Sequence, residues 1–214
     1  EGLTLVTSSV RRFPPDCLDP KIHHNNLLQS ILAKIEANVA GADDALMLDT
    51  RGFVAETNAT HLFIVDRGLL LTPRLVACPE GITRGAVLDL CRANGIAFEE
   101  RDLTLTEVYR ASEAFCSGTM GELAAVTRVD GRTIGDGRPG PMTGRLGRLF
   151  QAASRTAKDV GAQTTLSSAG RSIASVALDL AAAGTERAGT AGTSAVLLGT
   201  GAYAACVAAL LRSR

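Results

Sequence analysis

The chain has no surplus of charge of either sign. Its 22 lysines and arginines balance 22 aspartates and glutamates, and the formal net charge at pH 7 is zero. Such a chain lacks the basic field that draws a protein to nucleic acid, and it has no acidic tail. Paired cysteines are also missing. Cys17, Cys78, Cys91, Cys116 and Cys206 are odd in number and scattered, with no Cys-x-x-Cys. This argues against a disulfide framework and against a metal site, and it predicts a reducing, cytoplasmic setting. No secretory signal opens the chain. It begins mid-pattern at Glu1 without a methionine and reads as a fragment. Lysine is scarce, at Lys21, Lys34 and Lys158 alone. No internal repeat is present.

What remains is an ordinary globular composition, 46% hydrophobic and 21% charged over 214 residues. That length suits one large domain, or one domain and part of another. Leu3 to Ser8 reads as a strand, and the Pro14-Pro15 and Asp19-Pro20 stretches read as a loop. Apolar residues at Leu28, Ile31, Leu32, Ile35 and Val39 have helical spacing, and Gly41 ends that helix. Ala45 to Leu48 and Phe53 to Glu56 are strands. His61 to Val65 and Leu69 to Thr72 form a hairpin about Asp66-Arg67-Gly68. Thr83 to Asn94 is an amphipathic helix stopped by Gly95. A short helix from Leu105, a strand at Glu113 to Ser117, and a pair of strands about Asp130-Gly131 follow. Pro141 to about Ala157 closes the series as a helix. Strands and helices mix without a strict βαβ rhythm, which favours an α+β or barrel-like sheet.

Four segments carry the chemistry. They are Asp19-Pro-Lys-Ile-His-His-Asn-Asn-Leu-Leu, Gly52-Phe-Val-Ala-Glu56-Thr-Asn-Ala-Thr-His-Leu-Phe, Gly81-Ile82-Thr83-Arg84, and Ser117-Gly118-Thr119-Met120-Gly121-Glu122. Gly81-Ile-Thr-Arg opens a helix, where backbone N–H groups make a ready phosphate site. In this order and spacing the four segments resemble the fold-type IV pyridoxal-phosphate (PLP) aminotransferases, most of all the branched-chain group. The resemblance covers about residues 1–150 and implies the C-terminal, cofactor-binding domain of such an enzyme, with PLP as cofactor. It implies a homodimer that acts on a small-molecule amino acid and a 2-oxo acid, with no nucleic-acid or membrane partner. It assigns Glu56 to the pyridine nitrogen of PLP, where a carboxylate keeps the ring protonated and electron-accepting. Ile82, Thr83 and Thr119 would hold the phosphate, and Thr119 and Met120 the substrate carboxylate. The smaller N-terminal domain, which in the family supplies a phosphate-binding arginine and part of the substrate pocket, is not in this sequence.

The family's Schiff-base lysine belongs in the first segment. A gapless register on the Ile-Leu-Ala-Lys-Ile-Glu-Ala helix places His23 there, and histidine cannot make that bond. Lys21 lies two residues earlier. On a strand it would share a face with His23 at a displacement of about 6.6 Å, from roughly 3.3 Å per residue. Two assignments stand: Lys21 as the Schiff-base lysine, or a lysine-free site with His23 as acid and base. The first implies an aminotransferase, the second a catalytically impaired relative kept for binding or structure.

The tail differs in kind. Residues 151–190 read as helix and linker, and 191–214 as a single βα unit. Segments from about Leu146 onward resemble glutamyl-tRNA reductase. Gly199-x-Gly201-x-x-Ala204, between a strand and a helix, has the form of a dinucleotide fingerprint. The chain ends before any ribose-binding acidic residue, so that site is incomplete. A third reading is therefore a fusion with a reductase fragment. Ala191 to Leu211 also reads, in a rival view, as a membrane span.

Overall fold

The structure is a computed structural model that describes residues 2–22, 24–119 and 121–163. The chain divides into two units after Ser154, and the first contains everything discussed below apart from the end of the last helix. His23, Met120 and the Gly199, Gly201 and Ala204 fingerprint lie outside the described residues, as does the span suggested for 191–211. Among the described residues no helix is long and apolar enough to cross a membrane.

Among the described residues nine strands form one mixed sheet: β1 (Leu3–Arg11), β2 (Asp44–Leu48), β3 (Val54–Thr57), β4 (His61–Asp66), β5 (Leu69–Pro73), β6 (Phe98–Arg101), β7 (Glu113–Gly118), β8 (Glu122–Val129) and β9 (Arg132–Thr133). Their order is β3-β2-β1-β8-β7-β4-β5-β6, with β9 on β8. β1 runs parallel to both β2 and β8, and β5 runs parallel to β6, while the other pairs are antiparallel. The two ends of the sheet curl toward each other: the Val54 N–H donates to the Leu103 carbonyl just after β6, at 2.8 Å. This is the barrel-like sheet that the mixed strand and helix pattern predicts.

Turn chemistry sets the hairpins. Arg67 and Gly68 take φ of 49° and 81° between β4 and β5, and Asp130 and Gly131 take 51° and 75° between β8 and β9. Two successive positive-φ residues make the turn whose twist matches paired strands. Alternation along β4 then sorts its side chains. Leu62 and Ile64 join a cluster with Leu5, Leu46, Leu71 and Val126 on one face. Phe63 and Val65 join Val87, Leu88, Phe115 and Leu146 on the other, where helices α3 (Ile82–Ala93) and α5 (Pro141–Gln163) pack. Phe63 and Phe115 are cross-strand partners and stack with centroids 4.9 Å apart.

Two helical expectations change. Helix α2 (Leu28–Val39) forms where its spacing predicts, but it turns its small residues inward. Ala33 and Ala37 are fully buried against Ala45 and Met47, whereas Leu28, Ile31, Leu32, Ile35 and Val39 are exposed. Alanine lets the helix axis approach the sheet closely, and the large residues are left facing outward. The loop expected around Pro14-Pro15 holds a short helix α1 (Pro15–Leu18), with proline suiting the first helical turn. Helix α4 (Leu105–Arg110) starts on a capping box, in which Thr104 and Glu107 each satisfy the other's backbone N–H. β6 is a strand that no periodicity announces, because Phe98-Glu-Glu-Arg is a polar edge.

Helix α5 gets its N-terminal cap from another element. The Glu113 carboxylate, buried in β7, accepts from the N–H groups of Met142 and Thr143 at 3.0 and 2.8 Å and from the Thr143 hydroxyl at 2.9 Å. Gly140 is required there, since a Cβ would collide with the Glu113 carboxyl group. Replacing Glu113 with Ala leaves three donors unmet, at a cost of roughly 1–3 kcal/mol. Urea unfolding of Glu113→Ala should show a midpoint lowered accordingly; an unchanged midpoint would remove this cap from the account.

Candidate active site

Five of the residues singled out from the sequence line one cavity of about 490 Å³: Lys21, Glu56, Ile82, Thr83 and Thr119. They come from four separate segments. Glu56 lies near the end of β3, and Ile82 and Thr83 open α3. Thr119 follows β7, and Lys21 sits in a single 3-10 turn, Pro20–Ile22. His61, Ser117 and Gly118 complete the wall on the sheet side. The antiparallel register places His61 opposite Ser117, so both lie at the same edge of the β4–β7 pair.

The turn at Lys21 corrects the expected strand. The Asp19 carboxylate accepts from the Lys21 N–H at 3.0 Å, and the Asp19 carbonyl accepts from the Ile22 N–H at 3.1 Å. Proline at position 20 has its φ preset for such a turn. Lys21 thus lies on no strand, although it still lines the cavity. Of the other two lysines, Lys34 reaches the Asp43 carbonyl and Asp44, and Lys158 is exposed on α5.

Glu56 is the chemical centre of the wall. It is only 5% exposed. The Arg12 guanidinium forms an ion pair with its Oε1, and His61 Nε2 stands 3.9 Å from its Oε2. Arg12 is itself braced, donating through Nε to the Ala77 carbonyl at 3.2 Å and through Nη1 to the Ser30 hydroxyl at 3.1 Å. Burial raises the Glu56 pKa to about 7, and Arg12 pulls against it. Burial also holds the His61 ring below the usual histidine range, with Arg84 and Arg12 pushing the same way and the Pro79 carbonyl opposing. A carboxylate so placed can hold a proton on a ring nitrogen, or give one up near neutral pH.

The opposite end of the cavity suits an anion. Gly81 takes φ of 72° at the N-cap of α3, and no side chain caps that helix. Its first N–H groups therefore have no partner within the helix, and the helix dipole favours negative charge there. Ile82 is 93% exposed, so this end is open. Arg84, near the start of the helix, is buried and ties it back to the Pro73 carbonyl at 3.0 Å and to Glu100 at 2.6 Å. The Ser117 hydroxyl is buried beside the cavity with no hydrogen-bond partner. Burial pushes the Cys78 and Cys116 thiols up to about 12, which disfavours their thiolates.

These features fit PLP. A buried carboxylate stands at one end for a ring nitrogen, uncapped helical N–H groups stand at the other for a phosphate, and the Ser117 hydroxyl beside the cavity has no partner. An amine, Lys21, lies on the rim. Sequence reasoning gave no role to Arg12, His61 or Ser117. His61 and Ser117 fall inside recognised segments and could have been weighed. Arg12 could not, since its contact with Glu56 spans 44 residues of sequence and appears only when β1 and β3 come together.

Comparison with known proteins agrees with this geometry. The family Amino-transferase class IV matches residues 1–129. Branched-chain-amino-acid aminotransferase-like protein 2 of Arabidopsis thaliana is 51% identical over 150 residues, covering 70% of this chain and 27% of its own length. The branched-chain-amino-acid aminotransferase of Pseudomonas aeruginosa is 40% identical over 151 residues, covering 70% of this chain and 49% of its own. Among solved structures, the PLP form of the branched-chain amino acid aminotransferase from Thermobaculum terrenum superposes with a TM-score of 0.69 at 36% identity, covering 72% of this chain and 51% of that one. The chain thus spans about half or less of the length of these relatives.

Glu56 makes stability depend on pH. The folded chain keeps a proton that the unfolded chain releases near 4.5, so the stability from this group is present below about 4.5 and lost as pH rises through about 7. Glu56→Gln should flatten that fall in urea titrations between those pH values. An unaltered slope would place the titration on another group. On fold, on the match of residues 1–129 and on identities of 40% and 51%, the chain belongs to the class IV aminotransferases.

Proposed function

We propose that this chain is the cofactor-binding part of a PLP-dependent enzyme that transfers an amino group between a branched-chain amino acid and a 2-oxo acid. The observation that carries this reading is that Glu56, Lys21, the N-terminus of α3 and Thr119 line a single cavity. The names of the relatives support the branched-chain substrate class. Bound there, PLP supplies a ring that accepts electrons from the substrate. Glu56, paired with Arg12, holds the proton on the ring nitrogen. The Ile82 and Thr83 N–H groups bind the phosphate, with the Thr119 hydroxyl beside them. Met120, just beyond, is assigned to the substrate carboxylate together with Thr119. Lys21 would be the amine that holds the cofactor and, once released by the incoming substrate amine, the base that takes the proton from the substrate Cα. The exposed apolar stripe of α2 supports a homodimer, with the stripe covered by a second copy. Ile35→Glu should then shift the sedimentation equilibrium toward monomer, and an unshifted equilibrium would place the dimer contact elsewhere.

One observation favours a second reading. Lys21 is exposed on its 3-10 turn and does not lie on a strand. In that reading the site is lysine-free, His23 serves as acid and base, and the protein binds PLP without a covalent link.

Borohydride reduction in the presence of PLP, followed by peptide mass spectrometry, separates the two. The first reading expects a pyridoxyl mass on Lys21, lost in Lys21→Ala together with roughly 10²–10⁴-fold of any transamination rate. PLP retained with no adduct supports the lysine-free site. Absence of PLP binding by the folded chain sinks both.

A further inference from the structure

Two segments, the β3–β4 stretch that carries Glu56 and His61 and the Pro79–Gly81 turn, meet at one imidazole. His61 opens β4 and is 8% exposed. Its Nε2 lies 2.8 Å from the Pro79 carbonyl, which can only accept, so Nε2 carries the ring proton. The same nitrogen is 3.9 Å from Glu56 Oε2. The ring also rests on the backbone of Gly81: a Cβ there would collide with Cε1 and lie 2.7 Å from Nδ1. Gly81 is the N-cap of α3, with φ of 72°. Imidazole therefore fills the space that a side chain at position 81 would take, and it is hydrogen-bonded two residues earlier on the same turn.

We infer that His61 is a positioning residue, a clasp that locks the Pro79–Gly81 turn, and with it the N–H groups opening α3, in register with the carboxylate of Glu56. The inference rests on the PLP reading above. It adds a residue to which the resemblance gave no role. The physical need is clear from the layout. Arg84 anchors α3 to β5 and β6 from its buried side. Nothing in that anchor refers the helix start to β3, where Glu56 sits. His61 makes that reference, because it touches the turn and stands beside the carboxylate. A ligand with an anion at one end and a ring nitrogen at the other needs both ends in place at once, and misplacement at either end is costly. A ligand that uses one end alone is indifferent to the clasp.

The test compares three probes on the 214-residue chain: PLP, pyridoxal, which lacks the phosphate, and inorganic phosphate. His61→Ala should weaken PLP by about tenfold, the scale of one lost hydrogen bond, and weaken inorganic phosphate little. Pyridoxal should change by less than about twofold, within the scatter of a single weak contact. His61→Gln, which keeps a donor on a flexible arm, should recover part of the PLP loss. Gly81→Ala pushes the turn against the ring. Its loss of PLP affinity should be smaller in the His61→Ala background than in the wild type, because contacting residues are not additive. Equal weakening of PLP and pyridoxal, or no weakening, overturns the clasp. A measurement without ligand decides the same point if His61→Ala does not fold. In the unmodified chain, nitrogen-15 spectra of the His61 ring should show one proton, on Nε2, exchanging slowly with water. A proton on Nδ1, or fast exchange, overturns the inference. Failure of the unmodified chain to bind PLP would instead sink the functional reading, and the ring spectrum would still decide the contact.

Discussion

A carboxylate buried in a sheet must find partners, and much of this molecule is arranged around meeting that demand for Glu56. An unpaired charge in such a place would neutralise or unfold its surroundings. Arg12 answers from the end of β1, which reaches Glu56 because β1 lies beside β2 and β2 beside β3. Arg12 is then fixed by Ala77 and Ser30, which draws in the loop before α3 and the start of α2. His61 answers from β4 and draws in Pro79. The start of α2 and the loop before α3 are thus tied to one carboxyl group.

The sheet makes this arrangement possible. The short turn between β3 and β4 and the pairing of β4 with β7 bring the end of β3, the start of β4 and the end of β7 together. The face carrying Phe63 and Phe115 packs on α3 and α5, and the opposite face encloses a separate apolar cluster. Rigid strand ends hold Glu56, His61 and Ser117, while turns carry Lys21, Gly81 and Thr119. Site geometry built this way is precise where pairing enforces it and adjustable where turns present it. Two buried charges beyond Glu56 follow the same rule of paired burial. Glu113 caps α5, and Arg84 joins α3 to β5 and β6.

The most instructive difference between pattern and structure is α2. Its apolar stripe is strong in sequence, yet the sheet receives Ala33 and Ala37. Periodicity reports that a helix has an apolar face, and it says nothing about what covers that face. Here the close approach of helix and sheet needs small side chains, and the large ones face outward.

Much of the fold was legible because it rests on local physics. The turns at Arg67-Gly68 and Asp130-Gly131, the short helix from Leu105 and the start of α3 after Gly81 all follow from residues within a few positions of one another. The Gly81-Ile-Thr-Arg and Ser117-Gly-Thr segments were visible for the same reason, since N–H groups at a helix start or a strand end are local features. The polar edge strand β6 and the inward face of α2 were not legible, because neighbours far along the chain decide them. The 3-10 turn at Lys21 is local, set by Asp19 and Pro20, and it replaces the strand expected there. So it is with the site. The sequence by itself determined which groups were available: one glutamate after a glycine turn, one lysine near the helix, one uncapped helix start. Only the tertiary structure decided that Arg12 would face Glu56 and that His61 would join Glu56 to Gly81. Those contacts span 44 and 20 residues, and they depend on how strands order within the sheet, which no local pattern of residues encodes.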